Sequence, residues 1–180
     1  ATAETLIFST NPVLTAVSLP ELEAMTGDIA VEFHESLETI SLPKLTDASH
    51  IDLFEIPAVT TIDLSALKTA NVLAVSWSKN LASFALPSLT ETFILTFYQN
   101  DILTSLSAPE LTKAHFDITV QANKALASIE LPKLTTAWSL GIYMNDALTS
   151  VSFPALTELV MPPEELTDPD GVEEPLDPDA

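Results

Sequence analysis

Apolar residues return along this chain at a nearly fixed spacing. Take Pro20 as an origin. A proline stands again at Pro43, Pro87, Pro109, Pro132 and Pro154, with Ser65 where the series needs one more, so the steps are 23, 22, 22, 22, 23 and 22 residues. Two residues past each origin is a leucine: Leu22, Leu45, Leu67, Leu89, Leu111, Leu134 and Leu156. One residue before it are Leu19, Leu42, Leu64, Leu86, Ala108, Leu131 and Phe153, and three before it Val17, Ile40, Ile62, Phe84, Leu106, Ile129 and Val151. Six before it are Leu14, Leu37, Val59, Leu81, Leu103, Leu126 and Leu148. Pairs such as Ile29/Val31, Ile51/Leu53, Leu95/Phe97, Ile118/Val120 and Leu140/Ile142 lie fourteen and twelve before it. Every position in these six columns is apolar. A fixed period of this length marks a solenoid, whose turns bury their apolar faces only against one another.

Within each coil the alternation of Ile118-Thr119-Val120-Gln121 or Leu140-Gly141-Ile142-Tyr143 has the period of two of a strand with one buried face. A second, shorter strand is expected before each proline, as in Leu148 to Phe153. Proline, with no N–H and a fixed φ, suits the corner where the chain leaves the ladder. The fold class read from this is a repeat solenoid, mainly β, of seven coils over residues 4–161, its parallel strands stacked about 4.8 Å apart.

The frame Leu134-x-x-Ala137-x-x-Leu140-x-Ile142-x-x-Asn145-x-x-Leu148 resembles a leucine-rich repeat with one extra residue before the last leucine. With the recurring Leu-Pro-x-Leu-Thr, it most resembles the receptor L-domain type. Proteins of that type include the extracellular lobes of insulin- and EGF-type receptors, fungal cell-wall proteins and bacterial surface proteins. The resemblance implies a cell-surface or secreted recognition or adhesion module that binds a protein or a glycan. The chain departs from the animal receptors in having no cysteine, so none of their stapled ends or contact residues carries over.

Composition narrows the partners. There are 6 lysines, no arginines and 26 carboxylates in 180 residues, a formal charge of -20. Phosphate backbones and anionic membranes need a positive patch, so nucleic acid is excluded as a partner. The absence of cysteine removes disulfides, thiolate catalysis and thiolate-held zinc. No apolar run reaches membrane-spanning length, and Ala1-Thr2-Ala3-Glu4 lacks the basic start of a signal peptide. The first coil begins without a polar cap, which suggests linkage to further domains in a longer chain. Residues 162–180, opened by Pro162-Pro163, have the acidic, proline-rich composition of a linker or tail.

The outward face of the long strands is the main candidate site. Its residues include Ile7/Ser9, Ala30/Glu32, Asp52/Phe54, Ala74/Ser76, Thr96/Tyr98, Thr119/Gln121 and Gly141/Tyr143. Phe54, Tyr98 and Tyr143, with Glu32, Gln121 and nearby His34, form the expected ligand-binding set, because aromatic rings suit stacking on a sugar or anchoring a protein. Against it stands a solvated sheet with tolerated aromatics, or one covered by another domain. Asn11, Asn100, Asn123 and Asn145 share a column nine before the origin, where an amide that both donates and accepts can hold a turn. Thr46, Thr90, Thr112, Thr135 and Thr157 form a hydroxyl column, and Thr15, Thr60, Thr104 and Thr149 a broken one. Such columns suggest ice binding as an alternative, with local backbone bonding as the plainer account.

A metal has weak candidates only. Asp168 and Asp170, before Gly171, have part of a calcium loop's pattern, but Leu166 stands where its first aspartate belongs. Glu32, His34 and Glu35 read better as a charged strand edge than as ligands. No cofactor is expected, calcium being the one candidate. His34, His50 and His115 lie at unrelated offsets, and three glycines cannot build a phosphate loop, so no enzyme activity is expected. A structural spacer in a larger surface protein is the remaining alternative.

Overall fold

A computed structural model describes residues 5–160. Long and short strands alternate in chain order: β1 (Thr5–Ser9), β2 (Ala16–Ser18), β3 (Ala24–Glu32), β4 (Thr39–Ser41), β5 (Asp47–Phe54), β6 (Thr61–Asp63), β7 (Thr69–Ser76), β8 (Phe84–Ala85), β9 (Glu91–Tyr98), β10 (Ser105–Ser107), β11 (Lys113–Gln121), β12 (Ser128–Glu130), β13 (Thr136–Tyr143), β14 (Ser150–Ser152) and β15 (Glu158–Leu159). The odd-numbered strands form one parallel sheet of eight, ordered along the chain. The chain is therefore a parallel β-solenoid of seven coils, each a long and a short strand, with β15 opening an eighth. Among the described residues there is no helix, and so none long and apolar enough to cross a membrane.

The core is built mainly from the columns read from the sequence, joined by Met25, Ala48, Ile56, Ala70, Ala114 and Ala137 from outside them, while Val151 in the last coil is 45% exposed. Leu45, Leu67, Leu89, Leu111 and Leu134 are fully buried in single file, while Leu22 and Leu156 at the two ends are half-buried. Such a core exists only between coils, because one coil alone would leave both flanks of its leucine in water.

The two 23-residue steps have a structural cause. Register slips between Met25 and Asp28 in β3, and between Ala114 and Asp117 in β11. Among the described residues these are the only nine-residue strands, and each absorbs its extra residue as a bulge that leaves the inward columns aligned on both sides.

Short strands behave differently. They form two sheets, β2-β4-β6 and β14-β12-β10-β8, with no pairing between β6 and β8. Elsewhere the residue before the origin donates to the next coil, as in Leu42 N–H to Asp63 O at 3.0 Å and Leu86 N–H to Ser107 O at 3.0 Å. No such bond joins Leu64 to Ala85. Two local changes coincide with the break. Phe84 is the one aromatic in its column and is buried against Phe97, ring centroids 5.4 Å apart, where other coils carry Val, Ile or Leu. Ser65 replaces the proline and so brings an extra N–H, which the Asp63 carboxylate accepts at 3.0 Å. The resulting cleft, about 300 Å³, lies between Thr61–Ser65 and Ser83–Ala85.

Candidate functional site

Each long strand from β1 to β13 is followed at once by a residue with positive φ: Thr10, Phe33, Glu55, Trp77, Gln99, Ala122 and Met144, between 51° and 59°. None is glycine, so the left-handed geometry costs each of them about 1 kcal/mol. The backbone N–H made available there offsets it by bonding the next coil, as in Trp77 N–H to Tyr98 O at 2.9 Å and Ala122 N–H to Tyr143 O at 3.1 Å. The kink also turns the following residue inward, and that residue is the asparagine column.

Asn123 shows how the column works. Its Oδ1 accepts the Asn100 N–H at 3.0 Å, and its Nδ2 donates to Phe97 O and Gln121 O, each at 3.1 Å. Asn100 likewise accepts the Ser78 N–H, and Asn145 accepts that of Asn123, both at 3.0 Å. His34, expected beside the outward face as part of the ligand-binding set, belongs instead to this inward column. It is fully buried, and its Nδ1 accepts the Asn11 N–H at 3.0 Å, imitating an asparagine oxygen. The same nitrogen lies 3.2 Å from Asn11 O; accepting the N–H places the ring proton on Nε2, which has no partner. In the next coil Ile56 offers no acceptor, and the His34 N–H bonds Glu55 O at 3.2 Å instead. His34 is thus a structural link, and its side chain is closed to an external ligand.

The other five residues of the candidate set do align. The paired register runs Glu32, Phe54, Ser76, Tyr98, Gln121, Tyr143 across six neighbouring strands. Positive-φ residues thicken this rim. Phe33 packs edge-on against Phe54 with centroids 5.3 Å apart, and Trp77 against Tyr98 at 6.0 Å. Lys79 Nζ lies 5.8 Å over the Trp77 ring, and Gln121 reaches Met144 Sδ at 3.8 Å.

A second aromatic group, absent from the sequence reading, lies at the opposite end of β9, β11 and β13. Phe93 stacks on His115 at 4.6 Å and on Phe116 at 5.8 Å, and Phe116 meets Trp138 edge-on at 5.2 Å. Phe93, Phe116 and Trp138 all stand sixteen before the origin, which is the signal that would have found them. The β11 bulge sets His115 and Phe116 side by side. Phe93 and Tyr98 are five residues apart, so the two aromatic rims stand about 16 Å from each other.

Between the rims runs a column of mostly small side chains: Ala30, Asp52, Ala74, Thr96, Thr119 and Gly141. Tyr143 folds across Gly141, so that a Cβ there would fall within 2.7 Å of the ring atom Cζ. A side chain there would push the half-exposed Tyr143 ring aside and alter its lie on the face. Asp52 is the one charge in this column. Burial, and then repulsion from Glu32, raises its pKa above the ordinary carboxylate value. A raised folded-state value means that the folded chain holds the proton more tightly than the unfolded one, so the ionised group costs stability at neutral pH and the cost fades as pH falls through the carboxylate range. Asp52→Asn should therefore raise the neutral-pH melting temperature by about 1–2 °C and leave the acid-pH value unchanged; thermal melts at both conditions check it.

Asp47 is the opposite case. Hydrogen bonds from Thr46 and Thr69, both at 2.6 Å, hold its pKa down. The other corner threonines bond backbone: Thr90 to Lys68 O at 3.1 Å, Thr112 to Thr90 O at 3.0 Å, Thr135 to Thr112 O at 2.9 Å. In the broken column, Thr60, Thr104 and Thr149 do the same to Glu38, Ala82 and Ala127. No group of three or more His, Asp or Glu side chains suited to a metal occurs among the described residues. Asp168 and Asp170 lie outside them.

The fold and this face define a parallel β-solenoid with a two-rimmed outward sheet. Neither a family model, nor a curated protein, nor a solved structure matches the chain.

Proposed function

We propose that the chain is a non-enzymatic recognition or adhesion module that binds a protein or glycan across the outward face of its long sheet. The observation that carries this reading is the pair of rims over β9, β11 and β13, Phe93, Phe116 and Trp138 on one side and Tyr98, Gln121 and Tyr143 on the other, flanking a floor of Thr96, Thr119 and Gly141 beside Ile94, Asp117 and Ser139. Flat rings at fixed spacing, on a rigid sheet, offer stacking area at little entropic cost. Isolated exposed aromatics need no explanation, but Phe93, Phe116 and Trp138 form a contiguous series, with Trp138 39% exposed. The L-domain likeness of the repeat supports placing such a module at a cell surface or outside the cell, within a longer chain.

Panels of immobilised glycans and surface proteins, with and without calcium, would identify a ligand. Tyr98→Ala/Tyr143→Ala and Phe116→Ala/Trp138→Ala should each weaken its binding at least about tenfold while the melting temperature changes little. Undiminished binding by both double variants would remove the face from consideration, and a chain that retains nothing from either panel would favour the spacer reading.

A further inference from the structure

Beside the first-coil end of the Glu32-to-Tyr143 rim, coils one to three form a groove of about 530 Å³ lined by Thr10, Pro12, Phe33, Glu35, Glu55 and Pro57. Its origin is the kink that ends each long strand. Thr10, Phe33 and Glu55 are the positive-φ residues of these coils, and Pro12, Glu35 and Pro57 stand two positions later, so the groove runs between the two columns. Phe33, 44% exposed, supplies an aromatic surface and the prolines two apolar walls.

The two carboxylates are uncompensated. Elsewhere cations and anions pair between coils, as in Lys44 with Glu21 at 2.6 Å, Lys124 with Asp101 at 3.0 Å and Lys133 with Glu110 at 2.6 Å. Among the described residues neither Glu35 nor Glu55 has such a partner. Further along the same column Lys79 and Lys124 alternate with Asp101 and Asp146, and Lys124 pairs with Asp101, so this end differs in having carboxylates with no lysine among them. An aromatic surface beside two unpaired carboxylates is the chemistry that receives a planar cation, because a guanidinium can stack on a ring while its forked N–H groups meet carboxylate oxygens.

We propose that this groove is a docking site for an arginine side chain carried by an extended, basic segment of a protein partner. Charge complementarity selects the occupant, since a chain of net charge -20 attracts basic segments in general and the groove gives one of them a defined seat. The site meets the rim at Phe33 but lies outside β9, β11 and β13, on which the reading of the aromatic face rests, and neither proposal depends on the other.

The test is fluorescence anisotropy with a labelled glycine heptapeptide carrying two arginines, at low and at physiological salt. Controls are the same peptide with citrulline, which keeps the shape and loses the charge, and with lysine. Glu35→Gln/Glu55→Gln should weaken the arginine peptide at least about tenfold, whereas Glu23→Gln/Glu130→Gln, with the same change in net charge, should leave it within about twofold. Lysine should bind more weakly than arginine, and citrulline not at all. Both pairs of variants are isosteric changes on the surface, so melting curves matching the parent's are expected. Equal weakening by the two double variants, citrulline binding as well as arginine, or no binding of the arginine peptide would each overturn the proposal, and none of these results bears on the aromatic face.

Discussion

Truncation of Leu89 to alanine should destabilise the chain by about 3 kcal/mol. Leu89 is fully buried at the middle of the single file, with Leu67 below and Leu111 above it, both also fully buried. Backbone bonds on either side fix the coil spacing, such as Thr90 N–H to Lys68 O at 2.8 Å and Thr112 N–H to Thr90 O at 2.8 Å, so the neighbours cannot collapse into the space left behind. A cavity term then adds to the lost transfer free energy. Leu156→Ala, at a half-buried end of the file, should cost less than half as much. Urea denaturation of both variants checks the difference; equal losses would mean that the coils do not depend on their neighbours for burial.

Asn123→Leu should cost a comparable amount, about 3 kcal/mol, through unsatisfied backbone groups. The substitution strands the Asn100 N–H, deprives Phe97 O and Gln121 O of their donor, and removes the 3.2 Å contact to Asn145 Oδ1. The bonds to Asn100 and Phe97 lie where water does not reach, while those to Gln121 and Asn145 are part-buried. Hydrogen exchange gives a direct readout: the Asn100 amide should lose its protection. Persistent protection of that amide in the variant would contradict the assigned bond. Asn11→Ala, on an exposed side chain whose Nδ2 bonds only Ser9 O, should be nearly neutral.

The solenoid was legible because its core is periodic. The apolar columns need only a ruler, and the structure buries most of them, from Val17 to Leu134, while Met25, Ala48, Ala70, Ala114 and Ala137, buried beside them, lie outside the columns. The asparagine column was legible for the same reason, since a buried amide beside a turn has few other uses. His34 escaped because its residue type suggests chemistry at a surface, although it stands at the same offset as Asn100. The positive-φ corners were hidden for want of glycine: Phe33 and Trp77 carry no local sign of a left-handed turn, and only the bonds between coils hold them there. The stack of Phe93, His115, Phe116 and Trp138 depends on lateral register, and that register shifts at a bulge seen in sequence only as a 23-residue step. The outward column from Glu32 to Tyr143 needed no such knowledge, since alternation along each strand places it.

The gap between β6 and β8 gives the molecule an uneven stiffness. Where the short strands pair, flexing two coils apart strains ladders on both flanks of the stack. At the third and fourth coils only the long sheet, β5 to β7, resists fully, helped on the other flank by the Ser88 hydroxyl bond to Ser65 O at 2.8 Å. Bending is therefore cheapest at that junction, about a line parallel to the long strands. The sheet would act there as a living hinge, with the groove of the first three coils on one leaf and most of the aromatic surface on the other.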